Sequence, residues 1–203
     1  MIAVVDYGVG NVPSVINMLR RIGVQGIAAS NHKILLNATK VILPGVGAFD
    51  AAVSKLEGLG LRDVLVEIAN HKKIPILGIC LGMQLMSEGS EEGVLEGLNL
   101  IPGIARRLPK TSEHKVPHMG WNHSSPIRHS RLLSEDIAKN RYYFAHSYYL
   151  DPTNESDIVG VTSSGIDFCS AVERDNVFGV QFHPEKSHRN GLQLLKNFVM
   201  IDA

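Results

Sequence analysis

Pro75-Ile76-Leu77-Gly78-Ile79-Cys80-Leu81-Gly82 is the stretch that decides how this chain folds. Its apolar run, Pro75–Ile79, reads as a strand buried on both faces, because no polar residue alternates with the apolar ones. Cys80 then stands between two glycines, where a strand ends and a helix starts at about Gly82 and runs through about Glu88. Flanking glycines permit the strained strand-to-helix bend that lifts a side chain into a cleft. A helix N-terminus under the sulfur also presents its amides to the anionic form of the thiol. In open α/β sheets ligands bind at the carboxyl ends of the strands, which is where this turn lies.

Working outward, Ile2–Val5, Gly26–Ala29 and Lys40–Leu43 read as further strands. Val12–Gly23 reads as a helix ended by glycine. Phe49–His71 carries helical periodicity, with breaks around Gly58-Leu59-Gly60. Continuous apolar strands alternating with amphipathic helices predict a parallel sheet covered on both faces. The second half changes character. Met119–Asn122, Tyr142–Leu150, Ile158–Thr162, Phe168–Glu173 and Val177–Phe182 read as short strands between turn-rich segments, antiparallel additions to the sheet, and Gly191–Ile201 as a closing helix. Thr111–Lys115 and Ser124–His129 read as exposed polar loops. The expectation is an α/β fold, one domain over residues 1–203, with a mixed, mostly parallel sheet flanked by helices.

Composition narrows the function. The chain has 203 residues, 44% of them hydrophobic, enough for one domain with a sizeable core. Lys plus Arg and Asp plus Glu both number 20, which leaves no basic field for nucleic acid or an anionic membrane. Apolar stretches stop well short of a bilayer span, and Met1-Ile2-Ala3-Val4-Val5-Asp6 has no basic leader region. Only two cysteines occur, Cys80 and Cys169, so a disulfide framework is not expected and the predicted setting is the reducing cytoplasm.

Three segments carry chemistry. Each has a plain structural reading when taken singly: Cys80 as a buried cysteine, Phe182-His183-Pro184-Glu185 as a capped turn, and Leu43-Pro44-Gly45-Val46-Gly47 as a tight connection. Together they fit nucleophilic catalysis. His183 serves Cys80 as a base, and Glu185 orients the imidazole and stabilises it when charged. Pro184 holds the backbone extended, so that both side chains face one way. Acyl transfer also needs amides aimed at a developing oxyanion, and those of Val46 or a neighbour in the Gly45 loop and of Leu81 are the candidates.

Other segments fail as sites. Asp6-Tyr7-Gly8-Val9-Gly10-Asn11 lacks the third glycine of a dinucleotide turn, since Pro13 stands in that place, and nicotinamide binding is rejected. His114, His118 and His123 match no strong zinc spacing and read as surface residues, so no metal is expected. Cys169, in an apolar strand, reads as structural. Ser147 lies beside a histidine without a G-x-S-x-G around it, which argues against a serine hydrolase.

Gly78-Ile79-Cys80-Leu81-Gly82-Met83-Gln84 resembles the nucleophile segment of class I, triad-type glutamine amidotransferases, and Phe182-His183-Pro184-Glu185-Lys186-Ser187 their His/Glu segment. Asp6–Asn11, Pro44-Gly45-Val46-Gly47-Ala48-Phe49 and Pro117-His118-Met119-Gly120-Trp121-Asn122 are similar, within that class, to the glutaminase subunits of imidazole glycerol phosphate synthases. The resemblance spans essentially the whole chain, in order. It implies a flavodoxin-like architecture and a Cys80–His183–Glu185 triad that hydrolyses glutamine to glutamate and ammonia, with no cofactor. It implies that Gln84, His146, Ser147 and Tyr148 hold the glutamine. The loop at Gly45 and Val46 would complete the oxyanion hole with Leu81, through a peptide flip when the partner is loaded.

The implied partner is a (βα)8-barrel synthase subunit, bound as a heterodimer and fed the ammonia in histidine biosynthesis. Asn11, Met119, Trp121, Tyr143 and Lys186 would lie near that interface. Trp121, the single tryptophan, reads equally as an interface anchor or as a core aromatic on a strand. Lys186 reads as a solvated lysine or as a cross-interface partner. Two other outcomes stay open at this stage: a related glutaminase serving a different acceptor, such as a sugar amidotransferase in polysaccharide synthesis, and a catalytically silent module of the same fold.

Overall fold

The computed structural model describes residues 1–110, 115–136 and 139–202. His114 and most of the loop predicted around it lie outside the described residues. In chain order the elements are β1 (Ile2–Val5), α1 (Val12–Arg21), β2 (Gly26–Ala29), α2 (His32–Leu36), β3 (Lys40–Gly45), α3 (Phe49–Gly58) and α4 (Leu61–Asn70). Next come β4 (Ile76–Cys80), α5 (Leu81–Gln84), β5 (Gly89–Ser90), β6 (Gly103–Arg107), β7 (His118–His123), β8 (Ser125–Pro126) and β9 (Arg141–His146). The last are β10 (Tyr148–Pro152), β11 (Ile158–Ser164), β12 (Ile166–Arg174), β13 (Val177–Val180) and α6 (His188–Met200).

The main sheet has the order β2-β1-β3-β4-β13-β12-β11-β8. Pairings from β2 across to β13 are parallel, and those from β13 to β8 antiparallel. The mixed, mostly parallel sheet expected from the sequence is therefore present. Its faces are both covered because side chains alternate along each strand. Ala3, Val5, Val41, Leu43 and Ile76 pack on one side with Phe49, Leu56, Leu65 and Ile68 of α3 and α4. On the other side Ile2, Val4, Ile42, Leu77 and Ile79 pack with Val15 and Leu19 of α1 and Leu194, Leu195 and Phe198 of α6. Two smaller units sit outside this sheet: a three-stranded β10-β6-β5 and a ribbon of β7 and β9.

Departures from the sequence reading have local causes. The helix predicted from Gly82 through Glu88 stops at Gln84. The Ser87 hydroxyl lies 2.7 Å from the carbonyls of both Gln84 and Gly89, so it competes with the helix for its acceptors. Tyr142–Leu150 divides at Ser147, because β9 pairs with β7 while β10 pairs with β6. The segment Ser124–His129 is not simply an exposed loop. Ser124 is fully buried with its hydroxyl 2.8 Å from that of Ser170, and β8 pairs with β11. Among the described residues no helix is long and apolar enough to cross a membrane.

Candidate active site

Parallel pairing sets the carboxyl ends of β3, β4 and β13 side by side: Gly45 lies opposite Cys80, and Val180 opposite Ile79. The three segments that carry chemistry in the sequence therefore converge at one edge. Cys80 itself takes the strained conformation, φ 54° and ψ −110°, at the start of α5. A non-glycine residue held there costs of order 1–3 kcal/mol, which the surrounding sheet has to offset. The flanking glycines do not carry the strain, as the sequence reading supposed. They are needed for room: a Cβ on Gly78 would come within 2.6 Å of Gly82 O, and one on Gly82 would collide with Leu43 O.

His183 follows β13 with its backbone N–H bonded to Tyr143 O at 2.9 Å. Its Nδ1 lies 2.7 Å from Glu185 Oε1, and the two side chains are 2% and 4% exposed. A carboxylate only accepts, so Nδ1 carries the proton, and Nε2 is left for Cys80, which lies near enough to act on the ring. Burial alone would favour the neutral ring. The bonds and charges of Cys80 and Glu185 outweigh it and raise the imidazole to about 10, so it is an imidazolium at neutral pH. Pro184 does not keep the chain extended, contrary to expectation. It opens the 3-10 turn Pro184–Lys186, where its missing N–H costs nothing, and that turn brings Glu185 back to Nδ1. Glu185 Oε2 is buried without a partner among the described residues.

A cavity of about 210 Å³ opens over the sulfur, lined by Val46, Gly47, Cys80, Leu81, Gln84 and Glu92 on one side and Pro117 and residues 145–148 on the other. Drug-sized ligands need 300–1,000 Å³, so this one fits a molecule of amino-acid size. A larger groove of about 570 Å³ runs beside α1 past Asp6, Gly8 and Ile16 and contains none of these residues.

Gly45 packs so closely on the Cys80 turn that a Cβ would lie 2.8 Å from Gly82 N and 2.9 Å from Tyr7 Oη. Tyr7 donates to Pro44 O at 2.9 Å and fixes the loop from behind. Leu81 opens α5, so its N–H has no acceptor within the helix. Gln84 is buried and its Nε2 donates to Tyr148 O at 2.8 Å and to Gln181 Oε1 at 3.2 Å, which leaves Oε1 as the atom it can offer a ligand. His146 is buried with Nδ1 2.9 Å from Tyr148 O; burial first, then the nearby His118 and His183, lowers it to about 3, and it stays neutral. Ser147 and Tyr148 form part of the cavity wall.

Asn11 caps α1, its Oδ1 accepting from Ser14 N at 3.3 Å. Met119 and Trp121 project from the outer face of β7, 63% and 40% exposed, so Trp121 is not a core aromatic. Trp121 stacks on His188 with ring centroids 5.4 Å apart and faces Tyr143 across the ribbon. The exposed Lys186 ammonium lies 5.7 Å over the Tyr143 ring, a cation–π contact.

His118 departs from its surface reading. It is half-buried against Phe144, with Nδ1 3.0 Å from His146 Nε2. Among the described residues no group of three His, Cys, Asp or Glu could hold a metal. Cys169 is buried, and burial pushes its thiol up. Sequence reasoning missed Glu92 and Gln181. Glu92 reaches the cavity from a loop with no pattern of its own, its Oε2 accepting from Phe49 N at 2.8 Å. Gln181 lies two residues before His183, a spacing that in extended chain puts both side chains on one side and could have revealed it.

A buried thiol, imidazole and carboxylate brought together, with the Leu81 amide at the start of α5, is the arrangement that cysteine-dependent acyl transfer of the triad type requires. The family model described as glutamine amidotransferase class-I matches residues 3–201, and the chain belongs to that family. Its relatives include "Imidazole glycerol phosphate synthase subunit HisH 2" of Pseudomonas aeruginosa, 49% identical over 98% of each chain. The HisH subunit of Methanothermobacter thermautotrophicus is 46% identical over 99% of this chain and 98% of its own. That of Leptospira interrogans is 42% identical over 99% and 100%. Among solved structures, a glutamine amidotransferase of Thermotoga maritima superposes with a TM-score of 0.61 at 18% identity, covering 98% of this chain and 81% of that one. A second glutamine amidotransferase reaches 0.71 at 14% identity, covering 97% and 96%.

Proposed function

We propose that Cys80, His183 and Glu185 hydrolyse glutamine and that the chain supplies the ammonia as the glutaminase subunit of an imidazole glycerol phosphate synthase. The observation that carries this is the buried His183–Glu185 pair, hydrogen-bonded at 2.7 Å, beside the strained Cys80 turn. The Cys80 thiolate attacks the side-chain amide carbon of glutamine, and the oxyanion is received by the N–H groups of Leu81 and Val46. His183 gives its proton to the leaving nitrogen, ammonia departs and a glutamyl thioester remains. Water then gives a proton to His183 as its oxygen attacks the thioester, releasing glutamate and regenerating the thiolate.

Gln84, His146, Ser147 and Tyr148 form the glutamine cradle. Glu92 adds a carboxylate for the substrate's ammonium group. The loop Gly45-Val46-Gly47 has glycine on both sides of Val46, and Gly47 sits at φ +104°, so a peptide flip there strains no side chain. Such a flip, driven by the loaded partner, would prevent wasteful hydrolysis.

The partner is a (βα)8-barrel synthase subunit in a heterodimer, which passes the ammonia through its interior and forms imidazole glycerol phosphate and aminoimidazole carboxamide ribonucleotide. The exposed Met119 and Trp121 mark where it docks. The relatives favour this acceptor over a sugar amidotransferase, since those described above carry the synthase name. Glutamate release should be measured for the chain alone and with the barrel subunit carrying its ribonucleotide. Strong stimulation by the loaded barrel is expected, and equal rates in both conditions would overturn the gated coupling.

A further inference from the structure

We infer that Gln181 is a hydrogen-bond donor to the Cys80 sulfur, aimed there by a one-way chain of polar side chains that starts from two backbone carbonyls. Gln181 is fully buried, and its side-chain amide lies 3.6 Å from Cys80 Sγ, an ordinary separation for a donor on sulfur. Which of its two ends faces the sulfur follows from the neighbours. A carbonyl only accepts, so the atom of Gln84 that lies 2.8 Å from Tyr148 O is its amide nitrogen. That nitrogen's second hydrogen points to Gln181 at 3.2 Å, where it requires an oxygen. Gln181 is thereby turned with its oxygen to Gln84 and its NH2 to Cys80.

Tyr148 O is itself held from a second direction. Asn122 Nδ2 donates to Ser163 O at 2.9 Å and lies 3.3 Å from His118 Nε2. His118 Nε2 is then an acceptor and Nδ1 the donor to His146 Nε2 at 3.0 Å. His146 in turn carries its proton on Nδ1, which faces Tyr148 O at 2.9 Å. Reversing any link would set two acceptors or two donors against each other, and every link but the outermost, Asn122 to Ser163, is at least partly buried. Donors from both sides thus converge on one carbonyl, and the orientation they enforce is relayed to the nucleophile. The triad leaves one side of the sulfur to His183; Gln181 holds another.

The inference rests on the nucleophilic role proposed for Cys80, and its test reads the sulfur directly. Gln181→Met and Gln181→Leu keep apolar volume and remove the donor. Alkylation of Cys80 by iodoacetamide in a folded variant should slow roughly tenfold at pH 7, as expected for a lost bond to a charged group, and recover at alkaline pH. The kcat for glutamine should fall in parallel with KM little changed. Alkylation and kcat within twofold of the parent in a folded variant would overturn the inference. A parent chain that alkylates readily yet releases no glutamate with its partner would instead count against the proposed function alone.

If neither variant folds, the parent chain decides. It has four glutamines, so selective ¹⁵N-glutamine labelling gives few side-chain signals. The Gln181 NH2 resonance should move when Cys80 is alkylated, and an unmoved resonance would overturn the inference.

Discussion

The parallel half of the main sheet and the outer half of the molecule, its antiparallel strands with the small β7–β9 and β10-β6-β5 units, divide the work differently. In β1, β3, β4 and β13 every residue but Lys40 is buried and the backbone is held by neighbours on both sides. That rigidity allows Cys80 to sit in a conformation it would not adopt alone. The outer half, by contrast, holds its chain through short ribbons, and its side chains do the selecting: residues 145–148 wall the cavity and Met119 and Trp121 face solvent. Strain is stored where packing is dense, and recognition is placed where the chain has an open side.

Removing the proposed nucleophile tests this division most severely. Cys80→Ala should lower glutamine-dependent activity by about 10⁴-fold or more while the assembled synthase still uses ammonium salts. Loss of ammonium use as well would show that the strained turn reaches beyond the glutaminase site. Glu185→Gln should lower kcat by about 10³-fold, because the imidazolium loses its charged partner.

The same change has a pH signature. His183 is raised from 6.5 to about 10 by Cys80 and Glu185 against its burial, so its contribution to stability is full below pH 6.5 and fades as pH climbs to about 10. Glu185→Gln should shift that alkaline decline to lower pH, which thermal melts across pH 6 to 11 would read.

A change in the outer half should act on association alone. If Trp121 anchors the proposed barrel partner, Trp121→Ala should weaken that binding by roughly 30-fold, the size of an interface hot spot, and move the isolated chain's stability by less than about 1 kcal/mol. A large fall in the melting temperature would make Trp121 a structural residue of the ribbon. The smallest effect is the most telling for the inner half. Cys80→Gly should stabilise the inactive chain by about 1 kcal/mol in denaturant melts, since glycine adopts φ 54° without the penalty a side chain brings.

The contrast also explains what the sequence disclosed. Ile2–Val5, Gly26–Ala29 and Pro75–Ile79 announce themselves as uninterrupted apolar runs between breakers, and the Cys80 turn by its paired glycines. His32–Leu36 is absent from the sequence reading because the stretch is too short for periodicity; the structure caps it with Asn31, whose side chain accepts from Ile34 N. Gly103–Arg107 has no pattern because its face is set by β10, a partner more than forty residues away, and the two-residue Gly89–Ser90 exists only by pairing with Gly103–Arg107. The same holds for the site. Cys80, His183 and Glu185 carry chemistry in their residue types. Glu92 and Gln181 owe their place to tertiary contact, and the orientation of the Gln84 and Gln181 amides exists only once Tyr148 O is in position.

The single backbone bridge between Tyr143 and His183 gives the protein a built-in gauge. The amide hydrogen of His183 is covered by Tyr143 O, on the strand that backs Trp121, so it exchanges with solvent only when β9 lifts away. One exchange rate, read at His183 itself, therefore registers how firmly the outer ribbon is seated.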